Sequence, residues 1–294
     1  MNARLATLLA ATLFVPALLP ACAAAQDNPP VGGDEKPPVT TTTTTTGAAD
    51  NKDEAPAVLP PLEPALREIL VKMDEAGDGL QTLTSNIRTI ETDYDTMADT
   101  QRVGLLRMDR SGDTTRFLVT FRGRVAANGG VSPNPIHYLL EGDELIEVNE
   151  PSRTKITRKL PPEQANRDLL KLGEGPFPMP IGQSPEEVQK QFDVSLVDPA
   201  SVSVDDGDIE IAEGATRIRL VPKAGTGLAE DFSWVLVDVD PETGLPKQVV
   251  TLDEAGVNEQ ATQLLGLKVN EPLDDTAFTL PPTDETWTVT YEAL

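Results

Sequence analysis

Apolar and polar positions alternate with a period of two along most of the chain after residue 84. In the clearest run, residues 115–122, Phe117, Val119 and Phe121 fall on one face of a strand. Two is the side-chain period of a β-strand, and turn sequences such as Asp240–Gly244 separate the runs. The pattern predicts an antiparallel sheet of about eleven or twelve strands, in residues 85–94, 100–109, 115–122, 136–141, 144–149, 153–159, 193–197, 208–212, 215–222, 232–239, 246–253 and 259–269.

Three short segments have helical spacing instead, so the fold class is mainly β with a few helices (α+β). Residues 62–76 carry apolar side chains three and four residues apart, namely Leu66, Ile69, Leu70 and Met73. Residues 161–173 have a similar spacing and end at a glycine. Ser184 and Pro185 form a good helix start, and this third helix runs to about residue 191.

The two later helices flank a proline-rich apolar loop, residues 175–182, in the middle of the strand sequence. Its prolines exclude both a helix and a central strand. Helices inserted at this point are suited to cover the concave face of a curved sheet. We predict that residues 161–191 form this lid, with apolar contacts from Leu169, Leu170, Phe177, Met179 and Ile181.

The central strands carry more apolar residues than one buried face requires, as in 232–237 and 264–267. If the sheet curls, its concave face is apolar and needs a cover. A closed apolar cavity would suit a ligand with acyl chains. The alternative is that the helices complete an ordinary filled core, and the pattern alone favours that alternative. The residues that we expect to line the cavity are Phe117, Val119, Phe121, Trp234, Leu265 and Leu267.

Composition and charge narrow the function classes. The 294-residue chain has a formal net charge of −24, which argues against nucleic acid or an anionic bilayer as the main partner. Its single histidine, His137, and single cysteine, Cys22, exclude sites built from several such ligands. Adjacent acidic pairs such as Asp205–Asp206 fall on predicted turns, where solvation explains them. We therefore expect no enzymatic activity, no cofactor and no metal site.

The N-terminal region has the features of an exported protein. Residues 1–25 combine a weakly basic start, an apolar stretch and small residues near Cys22, as in a signal peptide. Two interpretations of Cys22 stay open: lipidation at a lipobox-like sequence, or removal with the signal peptide. Residues 26–60 are rich in proline and threonine, with seven consecutive threonines from Thr40 to Thr46, and predict a disordered acidic linker. Residues 61–294 then form the folded domain.

Several local sequences, taken in order, resemble the outer-membrane lipoprotein carrier (LolA-like) family. The resemblance covers residues 62–294. It rests on the order of these segments along the chain more than on any single motif. The segments that carry it are Gly104–Arg110, the hairpin Tyr138–Val148, Ile218–Lys223, Phe232–Gly244, Lys247–Asn270 and Phe278–Pro281.

The resemblance implies an incomplete, strongly curved β-barrel with a helical lid. It implies a non-enzymatic periplasmic carrier that shields the acyl chains of lipoproteins or related lipids on the way to the outer membrane. Its partners would be an inner-membrane exporter and an outer-membrane acceptor, and we expect a monomer. Two alternatives stay open: a periplasmic sensor of the same fold that acts through protein contacts, and an outer-membrane lipoprotein tethered through Cys22.

The resemblance also implies a lid latch. The family has an arginine at the end of the second strand that hydrogen-bonds to the lid. Arg110 aligns with it, but Ser111 stands where the family usually has a proline. If the strand register shifts, Arg107 aligns with the family's arginine instead. A further alternative is that Arg110 is an ordinary surface arginine with no role in a latch.

Overall fold

The structure, a computed structural model, describes residues 59–161, 181–198 and 209–293. Cys22, the signal peptide and the linker up to residue 58 lie outside these ranges, as does most of the predicted lid. Two α-helices and twelve strands are present in the described part. They are α1 (Pro64–Asp78), β1 (Thr82–Asp93), β2 (Ala98–Asp109), β3 (Arg116–Val125), β4 (Val131–Glu141), β5 (Glu144–Asn149), β6 (Thr154–Lys159), α2 (Pro185–Gln191), β7 (Phe192–Leu196), β8 (Thr216–Pro222), β9 (Phe232–Val239), β10 (Pro246–Asp253), β11 (Asn258–Val269) and β12 (Thr288–Ala293).

All twelve strands belong to one sheet with the order β12-β6-β5-β4-β3-β2-β1-β11-β10-β9-β8-β7. Every neighbouring pair is antiparallel except β12 and β6, which are parallel. β7 and β12 are the two edges, so the sheet curves without closing into a barrel. The predicted fold class, an incomplete barrel with a helical cover, is confirmed.

Two strand predictions were wrong. Of the predicted run 208–212, residues 209–212 are described and form no strand. β12 was not predicted, because it is a short edge strand whose apolar residues Val289 and Tyr291 remain exposed. Such a strand has little hydrophobic signal, and it is held by main-chain pairing with β6 and by an ion pair between Arg158 and Glu292.

Helix α1 covers the concave face of the sheet. Pro64 occupies its first turn, and the face carrying Leu66, Ile69, Leu70 and Met73 is buried, as the spacing predicts. These side chains join one large core cluster with the inward-facing residues of most strands. None of the described helices is long and apolar enough to span a membrane.

The convex face carries two smaller apolar clusters. One contains Trp234, Leu236, Val250 and Ala261, with Ile209 packed against it. The other contains Leu118, Leu139 and Phe278, where residues 273–280 cross the outside of the sheet. β9 is therefore apolar on both sides because both of its faces are covered.

Candidate functional site: the covered concave face

The three aromatic and aliphatic residues of β3 lie together on the concave face. Phe117, Val119 and Phe121 are each buried in the core cluster that includes the apolar face of α1. This is the side on which the alternation predicts them to lie. That they line a ligand cavity stays a prediction.

Trp234 lies on the opposite face from the one we expected. Along β9, Val235 and Val237 face the concave cluster, so Trp234 and Leu236 point outward. The sequence could not distinguish the two faces, because every residue from Trp234 to Val239 is buried. Trp234 therefore lines no cavity on the concave side.

Leu265 and Leu267 lie at the rim. The pairing of β10 with β11 ends at Gln248 and Gln263, and beyond it β11 pairs with β1 alone. A groove of about 490 Å³ lies here between the end of β11 and the turn that connects β9 to β10. Leu265 is 49% exposed in this groove, whereas Leu267 packs partly against the concave core.

Helix α1 lies in close contact with the one described part of the predicted lid. Ile181 is fully buried against the concave core, and Gly182 N donates a hydrogen bond to Met73 O at 3.2 Å. A Cβ on Gly77 would lie 2.2 Å from Gly182 N, so only glycine permits this approach. The other predicted lid contacts, Leu169, Leu170, Phe177 and Met179, lie outside the described residues.

The second described helix has a well-formed start. Ser184 and Glu187 form a capping box, in which each side chain binds the other residue's backbone N–H. An exposed ion pair of 2.9 Å between Arg67 and Glu186 joins α2 to α1. Exposed pairs of this kind contribute little to stability. This ion pair therefore does little to hold the two helices together.

Arg110, the predicted latch, faces the C-terminal end of α1. Its guanidinium donates hydrogen bonds to the carbonyl oxygens of Gly77 and Leu80. Arg107 instead donates to Ala277 O at 2.9 Å, in the segment that covers the convex face. Of the two arginines, Arg110 is thus the one in contact with the helical cover, and its action as a latch stays a prediction.

Ser111, which stands where the LolA-like family usually has a proline, forms hydrogen bonds that a proline could not form. Its backbone N and Oγ donate to Asp109 Oδ1 at 2.9 and 2.7 Å, while Arg116 binds the other oxygen at 2.7 Å. Burial opposes ionisation of Asp109, but these hydrogen bonds outweigh it and hold its pKa below the usual value. Asp109 and Ser111 thereby fix the backbone on both sides of Arg110.

Loss of the Arg110 contacts should loosen the end of α1. For Arg110→Leu we expect amide hydrogen exchange in residues 73–80 to become about 10- to 100-fold faster, because hydrogen bonds to a charged group contribute about 1.5–3 kcal/mol. Hydrogen-exchange mass spectrometry at peptide resolution measures this. Arg107→Leu is the matched control and should leave these amides unchanged. Equal effects of the two variants would contradict a specific role of Arg110.

A polar cluster that sequence reasoning missed lies further along the concave face. Arg102 precedes Leu106 and Met108 by even numbers of residues on β2 and therefore shares their inward face. Thr89 lies opposite Arg102 on β1, and Tyr138 faces inward from β4. The sequence signal that could have revealed this cluster is a charged residue, Arg102, at a strand position where the alternation predicts an apolar side chain.

His137 has a structural environment. Its Nε2 lies 2.8 Å from Glu150 Oε1, and its Nδ1 lies 3.1 Å from Thr120 Oγ1. Within the ranges that the structure describes, no three His, Cys, Asp or Glu side chains are grouped as metal ligands would be.

No family model and no curated protein matches this chain. Solved structures that resemble it include a conserved protein from Thermus thermophilus, with a TM-score of 0.42 and 12% identity over 76% of this chain and 98% of the other. A LolA superfamily protein from Nitrosomonas europaea matches with a TM-score of 0.30 and 14% identity over 76% and 99% of the two chains. The solved structures that are similar to this chain thus include a protein of the LolA superfamily.

A third similarity is to a chain from a complex of two proteins. A chain of the Pseudomonas aeruginosa MucA/MucB complex matches with a TM-score of 0.39 and 12% identity, over 74% of this chain and 61% of the other. At such identities the similarities concern the fold alone.

Proposed function

We propose that this domain is a non-enzymatic carrier that shields the acyl chains of lipoproteins or related lipids during transit to the outer membrane. The observation that carries the proposal is the cover of the concave face. In the described part, one 15-residue helix lies over an apolar surface built from most of a twelve-stranded sheet. The polar contacts of that helix include an exposed ion pair and the hydrogen bonds from Arg110.

This arrangement fits the energetics of acyl-chain transfer. Each buried methylene contributes about 0.8 kcal/mol, so an acyl chain needs an apolar surface that excludes water. It must also be released, which requires a cover that opens at lower free energy than the strands. In the described part of the chain, separate hydrogen bonds and one exposed ion pair hold α1 over the apolar surface, whereas continuous main-chain pairing holds the sheet. A cover attached in this way meets both requirements.

The same proposal places the carrier in the periplasm. Residues 1–25 have the pattern of a signal peptide, and the proline- and threonine-rich residues that follow are suited to a spacer. A lipidated Cys22 would tether the domain and make it an acceptor. A processed chain that lacks Cys22 would diffuse as a soluble carrier between an inner-membrane exporter and an outer-membrane acceptor.

The rim groove favours a second candidate, a regulatory module that acts through protein contacts. Residues 264–269 of β11 extend beyond the pairing with β10, and Leu265 and Val269 are exposed there. An extended segment of a partner protein could add to such an edge by main-chain pairing. Lipid binding without any peptide partner would favour the carrier.

Retention of an acylated peptide tests the carrier function. Purified mature protein is mixed with a synthetic triacylated lipopeptide or with the same peptide lacking acyl chains, and each mixture is passed through a size-exclusion column. We expect the acylated peptide to co-elute with the protein and the peptide without acyl chains to elute separately. Equal recovery of both peptides, or of neither, would contradict acyl-chain binding.

A further inference from the structure

Arg102 carries a buried positive charge with little compensation. The residue is 2% exposed, and its Nε and Nη1 have no hydrogen-bond partner among the described residues. Its guanidinium carbon lies 5.7 Å from the centre of the Phe121 ring, so the group faces the concave core. An unpaired charge in an apolar interior is destabilising by itself. A buried group of this kind therefore calls for a functional explanation.

Two further unpaired donors lie beside it. Thr89 Oγ1 and Tyr138 Oη are both buried, and neither has a hydrogen-bond partner in the described part of the chain. Thr89 lies directly opposite Arg102 in the pairing of β1 with β2. Tyr138 contacts the same Phe121 ring edge-on, with the ring centres 6.5 Å apart. Arg102 and Tyr138 thus both contact the Phe121 ring, and Thr89 is the register partner of Arg102, so the three donors lie in one region of the concave face.

The neighbouring acids form no ion pair with Arg102 among the described residues. Arg158 is paired with Glu147 at 3.2 Å and with Glu292 at 2.9 Å, so these acids already have a partner. Glu91 is the acid nearest in register on β1, but it forms no ion pair with Arg102 within the described residues. Burial raises the pKa of Glu91, and the charges of Arg102 and Arg124 offset this only in part. Glu91 thus acts on Arg102 only through space and leaves its Nε and Nη1 without a hydrogen-bond partner in the described part of the chain.

We propose that Arg102, together with the hydroxyl groups of Thr89 and Tyr138, binds the negatively charged head group of the carried lipid. The guanidinium and the two hydroxyls can all donate to the oxygens of a carboxylate or a phosphate. The hydrocarbon part would lie toward Leu106 and Phe117, along the apolar part of the same face. This inference rests on the proposed carrier function and adds a preference for lipids with an anionic head group.

The site is enclosed in the structure, since Arg102, Thr89 and Tyr138 are all buried. A ligand must open the concave face before its head group reaches the guanidinium. The site therefore acts on cargo that is already inside, and it selects by charge. A neutral ester of equal length could accept a hydrogen bond through its carbonyl oxygen, but it would leave the guanidinium without a counter-charge.

A pair of fluorescent lipids tests the charge selection. cis-Parinaric acid and its methyl ester have the same chain and differ in the carboxylate, and their binding to the mature protein is measured by fluorescence titration. We expect the acid to bind about tenfold more tightly or better, as for a hydrogen-bonded charge. Arg102→Met should reduce the affinity for the acid to that for the ester and leave ester binding unchanged. Arg102→Lys should retain part of the preference.

Two further variants complete the test. Arg122→Gln, which removes an exposed charge from β3, should leave the preference as in the wild type. Tyr138→Phe removes a hydroxyl that has no partner in the described part of the chain, so the variant should fold and lose a few-fold of the preference for the acid. Tyr138→Phe therefore tests the head-group site even if Arg102→Met does not fold. Without ligand, Arg102→Met should raise Tm by roughly 2–4 °C, because an unpaired buried charge is removed.

The outcomes separate this inference from the carrier function. Equal binding of acid and ester by the wild type would overturn the head-group site and leave the carrier function standing. Binding of neither probe, together with no retention of the acylated peptide, would overturn both. Competition by millimolar inorganic phosphate, with no dependence on the lipid chain, would identify a site for a free anion and overturn the assignment to lipid.

Discussion

Asp238→Ala should lower the free energy of unfolding by about 3–5 kcal/mol, because it leaves the buried Arg217 guanidinium without its counter-charge. Arg217 Nε and Nη2 donate to Asp238 at 2.6 and 3.0 Å, and both side chains are almost fully buried on the convex face. Gln248 also donates to Asp238, at 2.9 Å. Arg217 further binds the carbonyl oxygens of Ile209 and Glu210, so the network attaches that segment to the sheet.

Chemical denaturation of Asp238→Ala measures this loss, and two controls define its cause. Glu186→Gln breaks the exposed pair with Arg67 and should lower the free energy of unfolding by less than about 1 kcal/mol. The double variant Arg217→Met/Asp238→Leu should be more stable than Asp238→Ala alone, because no charge is left buried. A double variant as unstable as the single one would show that the carbonyl contacts of Arg217, and not the charge pair, hold the segment.

Gly77→Ala should displace α1 and weaken lipid retention. The added Cβ would lie 2.2 Å from Gly182 N and 2.3 Å from its Cα, and backbone atoms cannot yield without movement of the helix. Forcing a group into such a contact typically costs about 1–3 kcal/mol. We expect a lower melting temperature, faster hydrogen exchange in α1 and a several-fold loss of the acylated peptide in size-exclusion chromatography.

Gly79→Ala is the matched control, two residues further along the chain. Its Cβ would meet no atom closer than 4.0 Å, and the backbone at Gly79 has a negative φ that alanine adopts readily. This variant should bind and unfold as the wild type does. If Gly77→Ala behaved like Gly79→Ala, the close contact of α1 with residues 181–182 would have no part in holding the cover.

The alternation of residues was sufficient to predict most strands of the antiparallel sheet, because one face of each strand had to be apolar. The open, curved form of the sheet was implied only by the resemblance to the LolA-like family. Helix α1 followed from Leu66, Ile69, Leu70 and Met73 for the same reason. Alternation fails where both faces are covered. Along β9 it could not distinguish Trp234 from Val235, since the convex cluster depends on residues distant in sequence, such as Ala261.

The candidate site was predictable only where a residue's role depended on apolar character. Phe117, Val119 and Phe121 were placed correctly on the concave face. Arg102 was overlooked because a single arginine in a strand is ordinarily a surface residue. Its significance depends on the absence of a partner across the described neighbouring strands, which only the pairing of β1, β2 and β4 into one sheet reveals.

Native mass spectrometry of the protein purified from its own cell envelope tests the central claim most directly. We expect a fraction of the folded protein to carry a non-covalent mass equal to one lipid, which is released on collisional activation. A covalent lipid on Cys22 would survive the same activation, so the two are distinguishable. A second sample, to which a lipopeptide is added before purification, shows whether a bound lipid survives the procedure. If the protein retains that lipopeptide but the untreated sample carries no releasable lipid, the carrier function is contradicted.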